Sequence, residues 1–282
     1  MTQKLLALYG LKWNPFEAGV PTTALRRSPS IDTFCGRVEH LTHRGGFALI
    51  TGQPGLGKSV SLRILCEHLQ SAGDLAVGIL SRPQASLHDF YRELGAIFDV
   101  QLAPHNRWGG TRVLRARWLH HIDTCLLHPV LLIDEAQEMH PAVLNELRLL
   151  AAVDLDARCL LTIVLAGDER LTEKFRSPEL LSVGTRIRAR LALVPADPEE
   201  LAEGLQHLIT QAGCPHLMTP PLIATLAEHA AGNWRILMNM AAELLEAAAA
   251  REKEQLDEQL YLEVFNPTPA QQRRGAKRMV PQ

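Results

Sequence analysis

Residues 47–59 read FALITGQPGLGKS: a short apolar run, then a turn punctuated by glycines that ends on lysine and serine. From Gly52 to Ser59 the pattern G-x-x-x-x-G-K-[ST] is satisfied at every fixed position. Glycines let the backbone curl so that successive N–H groups point inward, and a helix opening at the lysine adds the partial positive charge of its N-terminus. That combination cradles phosphate. The candidate nucleotide-binding residues are Gly52, Gln53, Pro54, Gly55, Leu56, Gly57, Lys58, Ser59 and Val60, with Lys58 directed at the β and γ phosphates and Ser59 offering its hydroxyl to Mg2+.

A second apolar run, VLLIDEAQEMHP at 130–141, stops on two adjacent acids. A buried strand does not end on paired negative charge unless solvent or a cation meets it. Beside a phosphate loop the pair divides two tasks. Asp134 holds the Mg2+, through water, and Glu135 polarises the water that attacks the γ phosphate. Guanine-nucleotide switches need an N-K-x-D motif to read their base, and the chain has none. ATP and Mg2+ are therefore the expected cofactors, and hydrolysis the expected reaction.

The runs LAVGIL (75–80), CLLTIVLAG (159–167) and LALV (191–194) join FALIT (47–51) and VLLID (130–134) as strand candidates, with helix-like segments at 58–71, 86–98, 111–127 and 141–152. Short apolar strands alternating with amphipathic helices predict a three-layer α/β domain with a parallel sheet. After PADPEE (195–200) the strand signals cease, and a small all-helical domain of about four helices is expected. The expected organisation is an N-terminal segment 1–30, an ATPase core 31–195, a helical lid 196–265 and a basic tail 266–282 that reads as disordered.

With 282 residues and 46% hydrophobic content the chain has ample material for a core, and a net charge of -2 excludes a global basic field. Any nucleic-acid contact must come from a local patch. Five cysteines, scattered and without C-x-x-C pairing, predict reduced and mostly buried thiols. No window offers about 18 uninterrupted apolar residues, and the N-terminus lacks a cleavage site, so a cytoplasmic protein with no membrane contact is expected.

The phosphate loop, the acid pair and the helical C-terminal region together resemble an AAA+ ATPase, a P-loop three-layer parallel sheet followed by a helical lid. YGLKWNPF (9–16), LLIDEAQEM, IVLAGDERL and GNWRILMNMAAELL resemble more particularly the ExeA-like ATPases and the related TniB and TnsC transposition regulators, over roughly residues 9–250. The resemblance implies a polar sensor of the γ phosphate at Asp168, where an acid replaces the commoner asparagine, threonine, serine or glutamine and alternatively caps the next helix. It implies an arginine finger offered to the neighbouring subunit from GTRIRARLALVP (184–195), with Arg186 first and Arg188 and Arg190 behind it, and a second sensor at Arg235. The aromatics of YGLKWNPF pack either against adenine or in the core.

Two further segments, SRPQAS (81–86) and HNRWGGTRVLRARW (105–118), stand where ring-forming relatives line a central pore. They make Arg82, Gln84, Arg107 and Arg112 candidates for contacts with the backbone of double-stranded DNA, against the alternative of a solvated helix face. The leading expectation is a homo-oligomeric ring or helical filament on target DNA that recruits or activates a transposase or target-selection protein, with hydrolysis driving disassembly. The alternative is an ATPase assisting assembly of a secretion apparatus. That branch carries a transmembrane helix and a wall-binding domain downstream, neither of which is read in these 282 residues.

Overall fold

The computed structural model describes residues 2–102, 107–154 and 157–265. The chain divides into two compact units at Arg26/Arg27 and again at Val194/Pro195: Arg27–Val194 forms one, and the segments before and after it form the other. The N-terminal segment therefore groups with the helical C-terminal part. The expected tail at 266–282 and the His105–Asn106 part of the second candidate DNA segment lie outside the described residues.

In chain order the first helix is α1 (Thr2–Tyr9), followed by α2 (Pro29–Thr42), β1 (Gly46–Thr51), α3 (Lys58–Ser71), β2 (Leu75–Leu80), α4 (Leu87–Ile97) and α5 (Arg107–Cys125). Next come β3 (His128–Ile133), a 3-10 turn (Ala136–Glu138), α6 (Pro141–Ala151), the short pair β4 (Ala152–Val153) and β5 (Arg158–Cys159), β6 (Thr162–Gly167), α7 (Glu169–Arg176), α8 (Leu181–Gly184) and β7 (Ile187–Ala192). The chain then runs through α9 (Pro198–Gln211), α10 (Pro220–His229), α11 (Trp234–Ala250) and α12 (Glu258–Phe265).

The five-stranded sheet has the order β2-β3-β6-β1-β7, and every neighbouring pair is parallel. Its central strands are covered on both faces. Phe47, Leu49, Leu131, Ile133, Ile163 and Leu165 join α4 to α7 in one cluster through Phe90, Leu94, Trp118, Leu147 and Leu171. The alternate residues Ala48, Ile50, Val130, Leu132, Val164 and Ala166 are equally buried, on the face that α2 and α3 cover. Burial on both faces is why these strands read as unbroken apolar runs.

The last strand departs from the expectation. It spans Ile187–Ala192 instead of 191–194, and Arg188 and Arg190 are exposed along it while Ala189 and Leu191 are buried. An edge strand with one solvated face alternates, so its apolar run is too short to stand out. Helix α5 likewise begins four residues before the expected Thr111. Arg107 and Arg112 therefore stand on a helix.

The thiols are all free, yet only Cys35 is buried; Cys66, Cys159 and Cys214 are half-buried and Cys125 is exposed. Among the described residues no helix is long and apolar enough to cross a membrane.

In the helical unit, Asp197, Thr219 and Asn233 cap α9, α10 and α11, and proline opens α9 and α10. Tyr9, Leu11 and Phe16 pack in the same cluster as Leu205, Leu226 and Leu244, and Tyr9 Oη donates to the Lys253 carbonyl at 2.9 Å. Core packing is thus the place of the YGLKWNPF aromatics Tyr9 and Phe16.

One buried charge shapes the Arg27–Val194 unit. The Glu146 side chain on α6 is 3% exposed and accepts from Tyr91 Oη and from Nε and Nη2 of Arg107, whose own side chain is 58% exposed. Burial, then the hydrogen bond to Glu146, pushes the Tyr91 phenol up to about 12. Arg107→Ala leaves a buried carboxylate with less compensation and should lower unfolding stability by about 2 kcal/mol, the partial exposure of the arginine keeping the loss below that of a fully buried pair. Urea titration of the two proteins measures it.

Candidate active site

β1 leads directly into the glycine loop. Gly57 is the N-cap of α3 at φ +97, a left-handed conformation that side chains disfavour. It has no side chain with which to cap the helix, whereas Ser28, Ser86 and Asp168 cap α2, α4 and α7. The first-turn N–H groups of α3 are thus left to an anion. Lys58 is 6% exposed, and its Nζ donates to the carbonyls of Gly52 at 2.8 Å and Gln53 at 3.1 Å. Among the described residues no carboxylate pairs with it, so its charge remains for a ligand.

The parallel register brings the other groups alongside. Thr51 pairs with Gly167 and Ile133 with Leu165, so Asp168 leaves the sheet level with Gly52, and Asp134 leaves it on the strand beyond. Neighbouring strands lie about 4.8 Å apart, which places the Asp134 main chain roughly 10 Å from that of β1, within side-chain reach of a shared metal. Asp134 is half-buried, and its Oδ1 accepts from the Glu135 N–H at 2.9 Å. Glu135 is exposed and left-handed at φ +50, an uncommon conformation for this residue. An exposed serine hydroxyl at Ser59 and one half-buried carboxylate suit Mg2+, whose remaining positions go to phosphate oxygens and water. Among the described residues no group of three or more His, Cys, Asp or Glu gathers into a metal cage of its own.

Asp168 has a task of its own. It caps α7, accepting the Arg170 N–H at 3.0 Å, and its carboxylate also takes Nε and Nη2 of Arg170, which reaches Glu138 at 2.8 Å as well. Those hydrogen bonds, above all, hold the Asp168 carboxyl below the usual carboxylate range; partial burial opposes them, and the Lys58 ammonium adds a smaller pull downward. The carboxylate expected to sense phosphate is thus occupied as a cap and ion-pair partner, at a corner close enough to Lys58 to feel its charge.

Of the finger candidates, Arg186 is half-buried, and its Nη1 donates to the Ser182 carbonyl at 2.6 Å; Arg190 reaches the Gly184 carbonyl at 3.4 Å. Arg188 is exposed on β7, and its carbonyl accepts from Arg37. Arg235 belongs to the other unit, where it stands exposed in the first turn of α11.

Residues 41–175 match the family described as AAA domain. Those residues, just under half of the chain, are similar to an AAA domain. The chain is also 32% identical over 211 residues to General secretion pathway protein A of Aeromonas hydrophila, an alignment that takes in 73% of this chain and 38% of that protein. It therefore spans well under half the length of that relative. Among solved structures it resembles the ORC2 protein of Aeropyrum pernix in its ADPNP-ADP complexes, with a TM-score of 0.73 and 15% identity over 89% of this chain and 71% of that one. It likewise resembles Drosophila ORC bound to DNA, with a TM-score of 0.64 and 14% identity over 99% of this chain and 69% of that one. At these identities the solved structures establish the AAA+ fold.

The DNA-contact candidates Arg82, Gln84, Arg107 and Arg112 fall into two kinds, and two neighbours of theirs on α5, Arg115 and Trp118, are held by the fold. Arg82 and Gln84 are exposed between β2 and α4, and Arg112 is exposed one turn beyond Trp108, itself 81% exposed. Arg107 is engaged by Glu146, Arg115 donates to carbonyls of Leu150 and Ala152, and Trp118 is buried.

Gln137 has no task in the sequence reading of VLLIDEAQEMHP but has one in the structure. Gln137 is 4% exposed; its Oε1 accepts from the Asp168 N–H at 3.2 Å and its Nε2 donates to Glu135 Oε2. In the sequence it shows only as an amide two residues after an acid.

Lys58→Ala removes a cation held at the loop and should abolish ATP binding by isothermal titration calorimetry while the chain still unfolds cooperatively. An unchanged affinity would assign the nucleotide to another site.

Proposed function

We propose that the AAA ATPase domain binds ATP and Mg2+ at Gly52–Ser59 and Asp134, hydrolyses the nucleotide through Glu135, and uses the cycle to form and release a homo-oligomer in the service of secretion-apparatus assembly. The observation that carries the secretion part is the 32% identity to General secretion pathway protein A. The hydrolytic part is supported by the register that sets the uncapped α3 terminus, Asp134 and Glu135 at one edge of the sheet. Ser59 and Asp134 would hold Mg2+, which would supply neutralisation of phosphate charge. The chain's own residues do the rest: the first-turn N–H groups and Lys58 orient the phosphates, and Glu135 accepts a proton from water. Arg186, delivered from a neighbouring copy, stabilises charge on the transferring group. The supply of ATP sets the reaction on the cytoplasmic side.

A second reading, assembly on double-stranded DNA with a transposase or target-selection protein as partner, is favoured by one surface. Trp108 and Arg112, a turn apart on α5, present an aromatic face and a cation together, with Arg82 and Gln84 also exposed.

Glu135→Gln should retain ATP affinity, lose hydrolysis by about 100-fold or more, and persist as an oligomer in ATP by light scattering. Turnover at the wild-type rate would remove Glu135 from the mechanism.

Duplex DNA separates the two readings. The secretion reading expects ATP turnover unchanged by duplex. The transposition reading expects stimulation that Arg112→Glu abolishes, with a salt slope of binding reduced by about one. Arg112 serves this test better than Arg107, because its replacement leaves Glu146 paired.

A further inference from the structure

The 3-10 turn after Glu135 buries a single carboxamide between two groups of the site. Oε1 of Gln137 takes the Asp168 main-chain N–H, and Nε2 gives to the Glu135 carboxylate. The orientation of this amide is dictated by its partners: turned over, it would set N–H against N–H on one side and oxygen against carboxylate on the other. The space for it depends on Gly167, where a Cβ would lie 2.7 Å from Gln137 Oε1 and 2.8 Å from Leu171 Cδ2.

The main chain beneath the amide is fastened to α7 as well. Lys174 Nζ donates to the carbonyls of Gln137 and Met139, and Arg170 bridges Asp168 and Glu138. The turn is thus tied to α7 at both the Asp168 corner and Lys174, and the Asp168 end of that connection is where the Lys58 charge is felt. Glu135, by contrast, is exposed, and its carboxylate stands on rotatable bonds with Gln137 Nε2 as a donor.

We propose that Gln137 is a positioning residue that sets the Glu135 carboxylate from the β6–α7 corner, so that a displacement of that corner by the γ phosphate is passed through one amide to the group that activates water. The proposal rests on the reading of Glu135 as that group. An untethered carboxylate on rotatable bonds spends less time in the attacking geometry, and misplacement by about 1 Å costs a site of this kind up to 100-fold in rate.

The test uses the full chain with Gln137→Leu, Gln137→Glu, Glu135→Gln and the double variant Gln137→Leu/Glu135→Gln, measuring steady-state ATP hydrolysis and binding of a fluorescent ATP analogue. Gln137→Leu should lower kcat by about 30-fold while KM and analogue affinity stay within about twofold. Gln137→Glu keeps an oxygen for the Asp168 N–H but has no donor for Glu135, and should lose kcat to the same extent. In the Glu135→Gln background, Gln137→Leu should change nothing further. Wild-type kcat in Gln137→Glu overturns the proposal, as does a loss in the Glu135→Gln background equal to that in wild type. Wild-type turnover in Glu135→Gln alone instead removes the reading of Glu135 on which the proposal rests. Should Gln137→Leu fail to unfold cooperatively, the comparison of Gln137→Glu with wild type decides.

Discussion

The parallel register of β3, β6 and β1 is the constraint on which the rest of the ATPase unit depends. Pairing Thr51 with Gly167 and Ile133 with Leu165 makes the three strands end nearly level, so that the segments leaving them emerge at one edge. Those segments are the glycine loop, the acid pair and the capped corner at Asp168. A slip of one residue would also turn every side chain of a strand to the opposite face, and both faces are filled. The core therefore enforces the same alignment that the chemistry requires.

Two buried charges in this unit meet opposite fates. Glu146 is surrounded by donors, from Arg107 and Tyr91, and its charge is used up in joining α4, α5 and α6. Among the described residues Lys58 donates to two carbonyl oxygens, which take up part of its hydrogen-bonding capacity without cancelling its charge. A neutralised ion holds a structure together, whereas an ion held only by dipoles keeps a field for something else. On that distinction Arg107 belongs with the architecture and Lys58 with the site.

Much of the central sheet was legible because β1, β3 and β6 are buried on both faces and read as continuous apolar runs. The edge strand β7 was misplaced, since IRARLA alternates and only its end resembles a core strand. The start of α5 was missed because Gly109 and Gly110 look like a turn; Gly110 is buried against Tyr91, where a Cβ would come within 3.0 Å of the ring. The phosphate loop and the acid pair could be read because their chemistry is local in sequence. The tasks of Arg107 and Gln137 could not, because their partners stand 39 and 31 residues away, and in the second case the partner is a main-chain N–H that no residue type advertises.

The division of the chain at Arg26/Arg27 and Val194/Pro195 has a bearing on synthesis. The helices against which Tyr9, Leu11 and Phe16 pack lie beyond residue 195, on the far side of the whole ATPase unit. On a ribosome the first segment must wait, its apolar side chains uncovered, while the intervening sheet is made and folds; at about 5–20 residues per second that delay is on the order of ten seconds or more. The sheet is thus the first part of the molecule able to complete itself, and the helical unit closes last, once both of its separated pieces exist.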